Sequence, residues 1–224
     1  MCGNAKKLVI FDLDGTLVNT IDDVCTCFNC SLVECGYPGR SKDFISSLIG
    51  LSLDMIIASL LPEGVPSTEV KRVSESYKSI YASFEKPNTK PYPGIPDVLR
   101  KLKESGIHLA VNSNKAHEIT SKMVNSLFPG LDMSVYGYGR VATPKPSPEA
   151  VYELLEEYDV DPCNAVYVGD TGVDLETACN AGIDAIIVKW GQGKSDLYRD
   201  IRITTVVNNS TDLLDAITSE RLSR

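Results

Sequence analysis

The sequence predicts an α/β fold: a doubly wound parallel sheet with an all-helical module inserted after the first strand. Three observations carry that expectation. Short apolar runs of strand length recur at 7–11, 107–112, 165–168, 185–188 and 203–207, with a weaker one near 133–138. Helical periodicities fall between them, and strands alternating with helices argue for parallel pairing through crossovers. Residues 20–86 interrupt the rhythm with helical patterns alone.

The first run, Leu8-Val9-Ile10-Phe11, reads as a buried strand, and Asp12-Leu13-Asp14-Gly15-Thr16 follows at once. Two carboxylates thus leave a strand end two positions apart, ahead of a turn glycine. Ligands of parallel α/β sheets bind at the carboxyl ends of strands. Neighbouring carboxylates repel unless a proton or a cation lies between them. The arrangement suits a divalent metal and an acid/base pair, although Asp and Gly also serve ordinary turns.

The inserted segment opens at Thr20, which reads as an N-cap, with Asp22 and Asp23 in the first turn where acids favour the helix dipole. Ile21, Val24, Phe28 and Leu32 follow at helical spacing, and further helical patterns cover 41–48, 52–61 and 67–84. The return path, Pro87 to Gly94, is rich in Pro and Gly and reads as a linker. A helical module on two crossings beside the acidic turn is placed to act as a lid, or simply as a packing subdomain.

Residues 95–105 carry Val98, Leu99 and Leu102 on a helical pattern that stops at Gly106. The next strand runs into Asn112-Ser113-Asn114-Lys115. A hydroxyl there can bond a phosphate oxygen, with backbone N–H groups of the following helix, 116–127, adding an anion site; Ser and Asn are equally common as caps. In Thr143-Pro144-Lys145-Pro146-Ser147-Pro148-Glu149, two prolines with preset φ fix Lys145, and Ser147-Pro148 starts a helix over 148–158. A second acidic turn closes Val166-Tyr167-Val168-Gly169-Asp170-Thr171-Gly172-Val173-Asp174. Asp170 is expected at the same sheet edge as Asp12, and Asp174 one turn into a helix over 173–181. Trp190-Gly191-Gln192-Gly193 reads as a rim loop or a plain Gly-rich turn, and a helix over 211–222 ends the series. Carboxylate oxygens are ligands that Mg²⁺ prefers, and a lysine and a metal can share the charge of a phosphoryl group.

Composition bounds the function classes. The chain has 224 residues, 43% hydrophobic and 23% charged, with a net charge of −8 and a pI near 4.8. That balance argues against sequence-independent binding to nucleic acid or an anionic membrane, which needs clustered Lys and Arg. No stretch approaches the ~20 apolar residues of a membrane span, and Met1 to Lys7 lacks the apolar core of a signal peptide; the expected location is the cytoplasm. Seven cysteines, Cys2, Cys25, Cys27, Cys30, Cys35, Cys163 and Cys179, do not form a disulfide scaffold. Cys27 and Cys30 make a CxxC inside a predicted helix, where reduced thiols are the favoured reading over metal or redox use.

Taken together, these segments resemble the haloacid dehalogenase-like (HAD) hydrolase superfamily, on its phosphoglycolate phosphatase-like branch. The first motif, DxDG[TV], matches Asp12 to Thr16; the second, a Ser or Thr at a strand end, matches Ser113, followed by Asn114-Lys115 as on this branch; the third matches Lys145; the fourth, GDxxxD, matches Gly169, Asp170 and Asp174. The resemblance implies a Rossmann-like core over 1–19 and 88–224 and a C1-type helical cap over 20–87. It implies that Asp12 is the nucleophile and Asp14 the general acid and base. Ser113, Asn114 and Lys145 would bind the phosphoryl group. Mg²⁺ would be held by Asp12, the Asp14 main-chain carbonyl and Asp170, with Asp174 supporting it through water. Asp14 separates the chain from dehalogenases and phosphonatases, which lack an acid there. Gly15-Thr16, and the absence of His from 20–86, point away from the β-phosphoglucomutase type. The implied partner is a small phosphate ester, by default 2-phosphoglycolate; a sugar-phosphate mutase, a pyrophosphatase and a nucleotidase stay as alternatives. Ile49 to Leu53 resembles the cap loop that reaches the substrate, and Arg40, Lys42, Lys71 and Arg72 are cap cations that could meet a substrate carboxylate. Oligomeric state is not legible.

Overall fold

Leu8–Phe11 form β1 of the computed structural model, which describes residues 6–219. All four side chains are buried, and they alternate between the two faces of the sheet. Val9 and Phe11 join one core cluster, while Leu8 and Ile10 join another on the opposite side. A strand buried on both faces needs apolar residues at every position, which is why its sequence reads as an unbroken run.

The remaining strands are β2 (Val18–Asn19), β3 (Lys90–Pro91), β4 (His108–Ala116), β5 (Ser134–Tyr138), β6 (Ala165–Gly169), β7 (Asp184–Val188) and β8 (Thr205–Val207). Six of them form one parallel sheet in the order β5-β4-β1-β6-β7-β8. The helices are α1 (Ile21–Glu34), α2 (Lys42–Ser46), α3 (Leu53–Leu60), α4 (Ser67–Ser83), α5 (Ile95–Glu104), α6 (His117–Leu127), α7 (Glu149–Glu157), α8 (Gly172–Ala181) and α9 (Ser210–Thr218). Apolar residues of α5, α6 and α9 cover the Val9 face, and those of α7 and α8 cover the Leu8 face. This is the doubly wound α/β architecture that the alternation of strands and helices predicts. Full burial of each Leu, Ile, Val or Phe contributes about 1.5–3 kcal/mol, so both layers hold the sheet.

The chain order reverses at β1, which pairs with β4 on one side and β6 on the other. Phe11 is in register with Val111 and with Val168. The residues that follow these three strands therefore emerge side by side at one edge, the switch point where such sheets bind ligands.

Helices α1 to α4 enclose an apolar cluster of their own, built on Phe28, Leu32, Ile45, Ile57, Tyr77 and Tyr81. Phe28 and Tyr77 stack at 4.1 Å between ring centroids. Two short segments connect this cluster to the sheet, and they pair as an antiparallel ribbon, Val18 with Pro91 and Asn19 with Lys90. The ribbon has no sequence signal, because two residues per strand are too few for a periodicity. Asp23, fully buried, ties the crossings together by accepting hydrogen bonds from Asn88 N (3.0 Å), Asn88 Nδ2 (2.9 Å) and Thr89 Oγ1 (2.7 Å).

Local corrections have local causes. The Thr20 hydroxyl makes no cap bond to α1; it donates to Asp14 Oδ1 instead. Pro148 precedes α7 directly, and Ser147 Oγ accepts from Glu149 N. The described part of the last helix ends at Thr218, and residues 220–222 of its expected span lie outside the described residues, as does Cys2. Cys27 is buried and Cys30 exposed, although they are neighbours one turn apart on α1, and burial pushes the Cys27 thiol up to about 11. Among the described residues no helix is long and apolar enough to cross a membrane.

Candidate active site

The ends of β1, β4 and β6 and the Pro-flanked loop before α7 converge as their sequences suggest. Lys145 is the centre of the cluster. Its Nζ donates to Asp12 Oδ1 and to Asp174 Oδ1, each at 2.7 Å, and its side chain is 1% exposed. Asp174 lies in the first turn of α8 in a capping box with Thr171. Its Oδ2 accepts from Thr171 N (2.9 Å), Thr171 Oγ1 (2.7 Å) and Asp170 N (3.2 Å). Both oxygens of Asp174 are thus engaged in holding other groups. Asp170 accepts from Thr16 Oγ1 at 3.0 Å and from Gln192 N at 2.6 Å.

One ligand oxygen from each of Asp12, Asp170 and Asp174 lies within 4.8 Å of the others, and all three residues are buried. Burial raises the Asp12 carboxyl to about 7, against the pull of Lys145 and with a push from Asp174. Burial, then Asp174 and Asp12, also hold Asp170 well above the usual carboxylate range. Burial opposes the charge of Lys145, yet Asp12 and Asp174 more than offset it and keep the ammonium protonated. Three buried acids face one cation. The negative charge left over, and the hard oxygen donors that carry it, fit a divalent ion such as Mg²⁺.

Asp14 stands half-buried beside this cluster. Lys115 Nζ donates to both of its oxygens, at 2.7 and 2.9 Å, and Thr20 approaches from the other side. Asp14 and its neighbours raise the Lys115 ammonium although burial opposes the charge. Lys115 also lies 5.1 Å from the Tyr81 ring centroid, which joins the core to α4. Ser113 is buried at the end of β4's regular pairing, and its Oγ accepts from Lys115 N at 3.2 Å. Asn114, expected among the phosphate ligands, has a different employment. Its Oδ1 accepts from Lys145 N (2.8 Å), and its Nδ2 donates to Lys145 O (3.1 Å) and Gly50 O (2.8 Å). With its amide engaged on those three groups, Asn114 fixes the main chain of Lys145 and a loop of the helical module.

Several functional contacts have no local sequence signal. Thr16 and Gln192 brace Asp170, Trp190 Nε1 donates to Thr16 O at 3.0 Å, and the Gln192 side chain accepts from Ser46 Oγ of α2. The Gly-rich loop therefore has a structural task that its composition does not disclose. Gly15 sits at φ +90°, and a Cβ there would stand 2.4 Å from Asp170 Oδ2, so only glycine brings the two acidic turns this close.

A cavity of about 300 Å³ opens above Asp12, Asp14 and Ser113 and runs beneath α1, α3 and α4. All five residues from Ile49 to Leu53 line it, as the likeness of that segment to a substrate-facing loop implies. Arg40, Lys42, Lys71 and Arg72 do not. Arg40 Nε donates to Leu60 O, Lys42 pairs with Asp22, and Arg72 pairs with Glu69.

Comparison with known proteins agrees with this geometry. The family described as "Haloacid dehalogenase-like hydrolase" matches residues 9–188. A phosphoglycolate phosphatase of Aquifex aeolicus (strain VF5) is 32% identical over 189 residues, which cover 84% of this chain and 87% of that protein. A protein of Dickeya dadantii (strain 3937) named "Probable phosphatase IndB" is 30% identical over 215 residues, covering 94% and 93%. The crystal structure of a candidate phosphoglycolate phosphatase from Lactobacillus delbrueckii subsp. bulgaricus gives a TM-score of 0.89 at 29% identity, covering 96% of this chain and 100% of that one. The chain belongs to the haloacid dehalogenase-like hydrolase family and is a phosphatase of its phosphoglycolate phosphatase-like branch.

Proposed function

We propose that this phosphatase hydrolyses a small phosphomonoester in two steps through Asp12, with Mg²⁺ as its metal. The observation that carries the reading is the contact of Lys145 Nζ with Asp12 Oδ1 at 2.7 Å, inside a cluster of three buried carboxylates. In the first step an Asp12 carboxylate oxygen attacks phosphorus, and the ester P–O bond breaks to leave an aspartyl-phosphate. Asp14 gives a proton to the departing oxygen. It then takes one from the water that attacks the same phosphorus, which releases phosphate and restores Asp12. Ser113 and Lys145 hold the transferring oxygens, and Asn114 holds Lys145. Asp12, Asp170 and the Asp14 carbonyl would carry the metal, with Asp174 behind them; bound there, the ion supplies positive charge against the phosphoryl oxygens. Residues 20–87 form a cap over a core of 1–19 and 88–224, and the cap excludes water as it closes. The net charge of −8, which disfavours an anionic membrane surface as a partner, supports a cytoplasmic enzyme.

The names of the relatives make 2-phosphoglycolate the reference substrate. The test is phosphate release from a panel that also holds pyrophosphate, nucleoside monophosphates and β-glucose 1-phosphate, with and without Mg²⁺. Release should vanish with EDTA and fall by at least about 10³-fold in Asp12→Asn, the scale of losing a reacting group. Isomerisation of the sugar phosphate with little release would reassign the enzyme as a mutase.

A further inference from the structure

The substrate has a part that the phosphoryl site does not hold, and the cavity above Asp12 is the space available to it. Phe28, Tyr77 and Tyr81 form one wall as a stack, with centroids 4.1 and 5.5 Å apart. Ile49, Leu51 and Ile119 line it from other sides. Among the described residues, only two cations reach the cavity. Lys115 is engaged by both oxygens of Asp14. Lys78, an exposed residue, shares the lining with a carboxylate, Asp54. No arginine among the described residues lines it, and the cap cations that could neutralise a substrate carboxylate are turned to Leu60, Asp22 and Glu69. A carboxylate placed against the aromatic wall would lose its water with no cation beyond the exposed Lys78 to meet it, which is costly. An apolar group would lose only unfavourable hydration.

We propose that the preferred substrate is a monophosphate ester of an alcohol with an apolar alkyl or aryl body and no carboxylate, seated against Phe28, Tyr77 and Tyr81. This rests on the phosphatase reading and narrows its leaving group. The volume, about 300 Å³, is at the small end of ligand cavities, so a single ring or a short chain is the fitting size.

The experiment compares kcat/KM for ethyl, butyl and hexyl phosphate, whose alcohols leave with similar ease, against 2-phosphoglycolate, all with Mg²⁺. Each methylene buried should raise kcat/KM about fourfold, so hexyl phosphate should exceed ethyl phosphate by on the order of a hundredfold and also exceed 2-phosphoglycolate. In Leu51→Arg the order should turn, with a lower value for hexyl phosphate and a higher one for 2-phosphoglycolate. If that variant does not fold, the wild-type series decides alone. A flat alkyl series, or 2-phosphoglycolate ahead of hexyl phosphate, overturns the inference and leaves the phosphatase standing. No phosphate release from any ester overturns both.

Discussion

Lys115 contacts both oxygens of Asp14 and stands over the Tyr81 ring, so one ammonium joins the proposed acid/base residue to the helical module. With Lys115 replaced, Asp14 keeps only Thr20 as a side-chain partner, and a carboxylate free to swing loses the alignment that proton transfer needs. Lys115→Met should lower kcat by about 10²-fold, with a smaller change in KM. Lys115→Arg should recover part of the loss, because it restores the charge but not the point geometry. Steady-state kinetics on the two variants checks this; an unchanged kcat in Lys115→Met would sink the assignment. The role of Lys115 is hard to read from sequence, since its partner lies 101 positions away. The acids were legible for the opposite reason. Asp12 and Asp170 each follow an apolar strand directly, and the strand pattern alone places them at the sheet edge.

At the scale of elements, the same contrast separates the strands from the loops. A buried parallel strand needs apolar residues throughout, so β1, β6 and β7 announce themselves. β4 runs four residues past its apolar stretch, to Ala116, because main-chain pairing with β5 continues there without help from apolar side chains. The loop 190–193 has no pattern, yet it meets Asp170 through Gln192 N. A Cβ on Gly191 would stand 2.2 Å from Asp170 Oδ2 and 2.4 Å from Gly15 O. Neither neighbour can yield cheaply, since one is a main-chain atom and the other is held by Thr16 and by Gln192 N. If Asp170 carries the metal as proposed, Gly191→Ala should displace it and raise the half-saturating Mg²⁺ concentration for activity by roughly 10–100-fold, the usual effect of disturbing the groups behind a metal ligand. Titrating activity against Mg²⁺ measures it, and an unchanged midpoint would remove the loop from the site. The cations of the helical module teach a related lesson: Arg40 and Lys42 look available in sequence, but their partners Leu60 and Asp22 become visible only when the module packs together, whereas Arg72 meets Glu69 one turn earlier on the same helix.

For the whole molecule, the proposed metal site at the sheet edge would couple folding to cation binding. Asp12, Asp170 and Asp174 are brought within 4.8 Å only by the folded sheet, so the unfolded chain has no comparable site. A cation bound to the folded state alone stabilises it by RT ln(1 + [L]/Kd), about 2.7 kcal/mol at one hundred times Kd. For a chain of this length that corresponds to a rise in Tm of roughly 5–10 °C. The rise should depend on Mg²⁺ concentration, reverse with EDTA and be absent with NaCl at equal ionic strength. Asp170→Asn separates this from general screening. The amide removes a proposed metal ligand, and it also removes a carboxylate whose charge is disfavoured by burial and then by Asp174 and Asp12. Its Tm without metal should thus equal or exceed that of the wild type, while its response to Mg²⁺ should be lost. If Asp170→Asn melts lower without metal and keeps the full Mg²⁺ response, Asp170 serves the fold through Thr16 and Gln192 rather than the cation, and the metal belongs elsewhere at the edge.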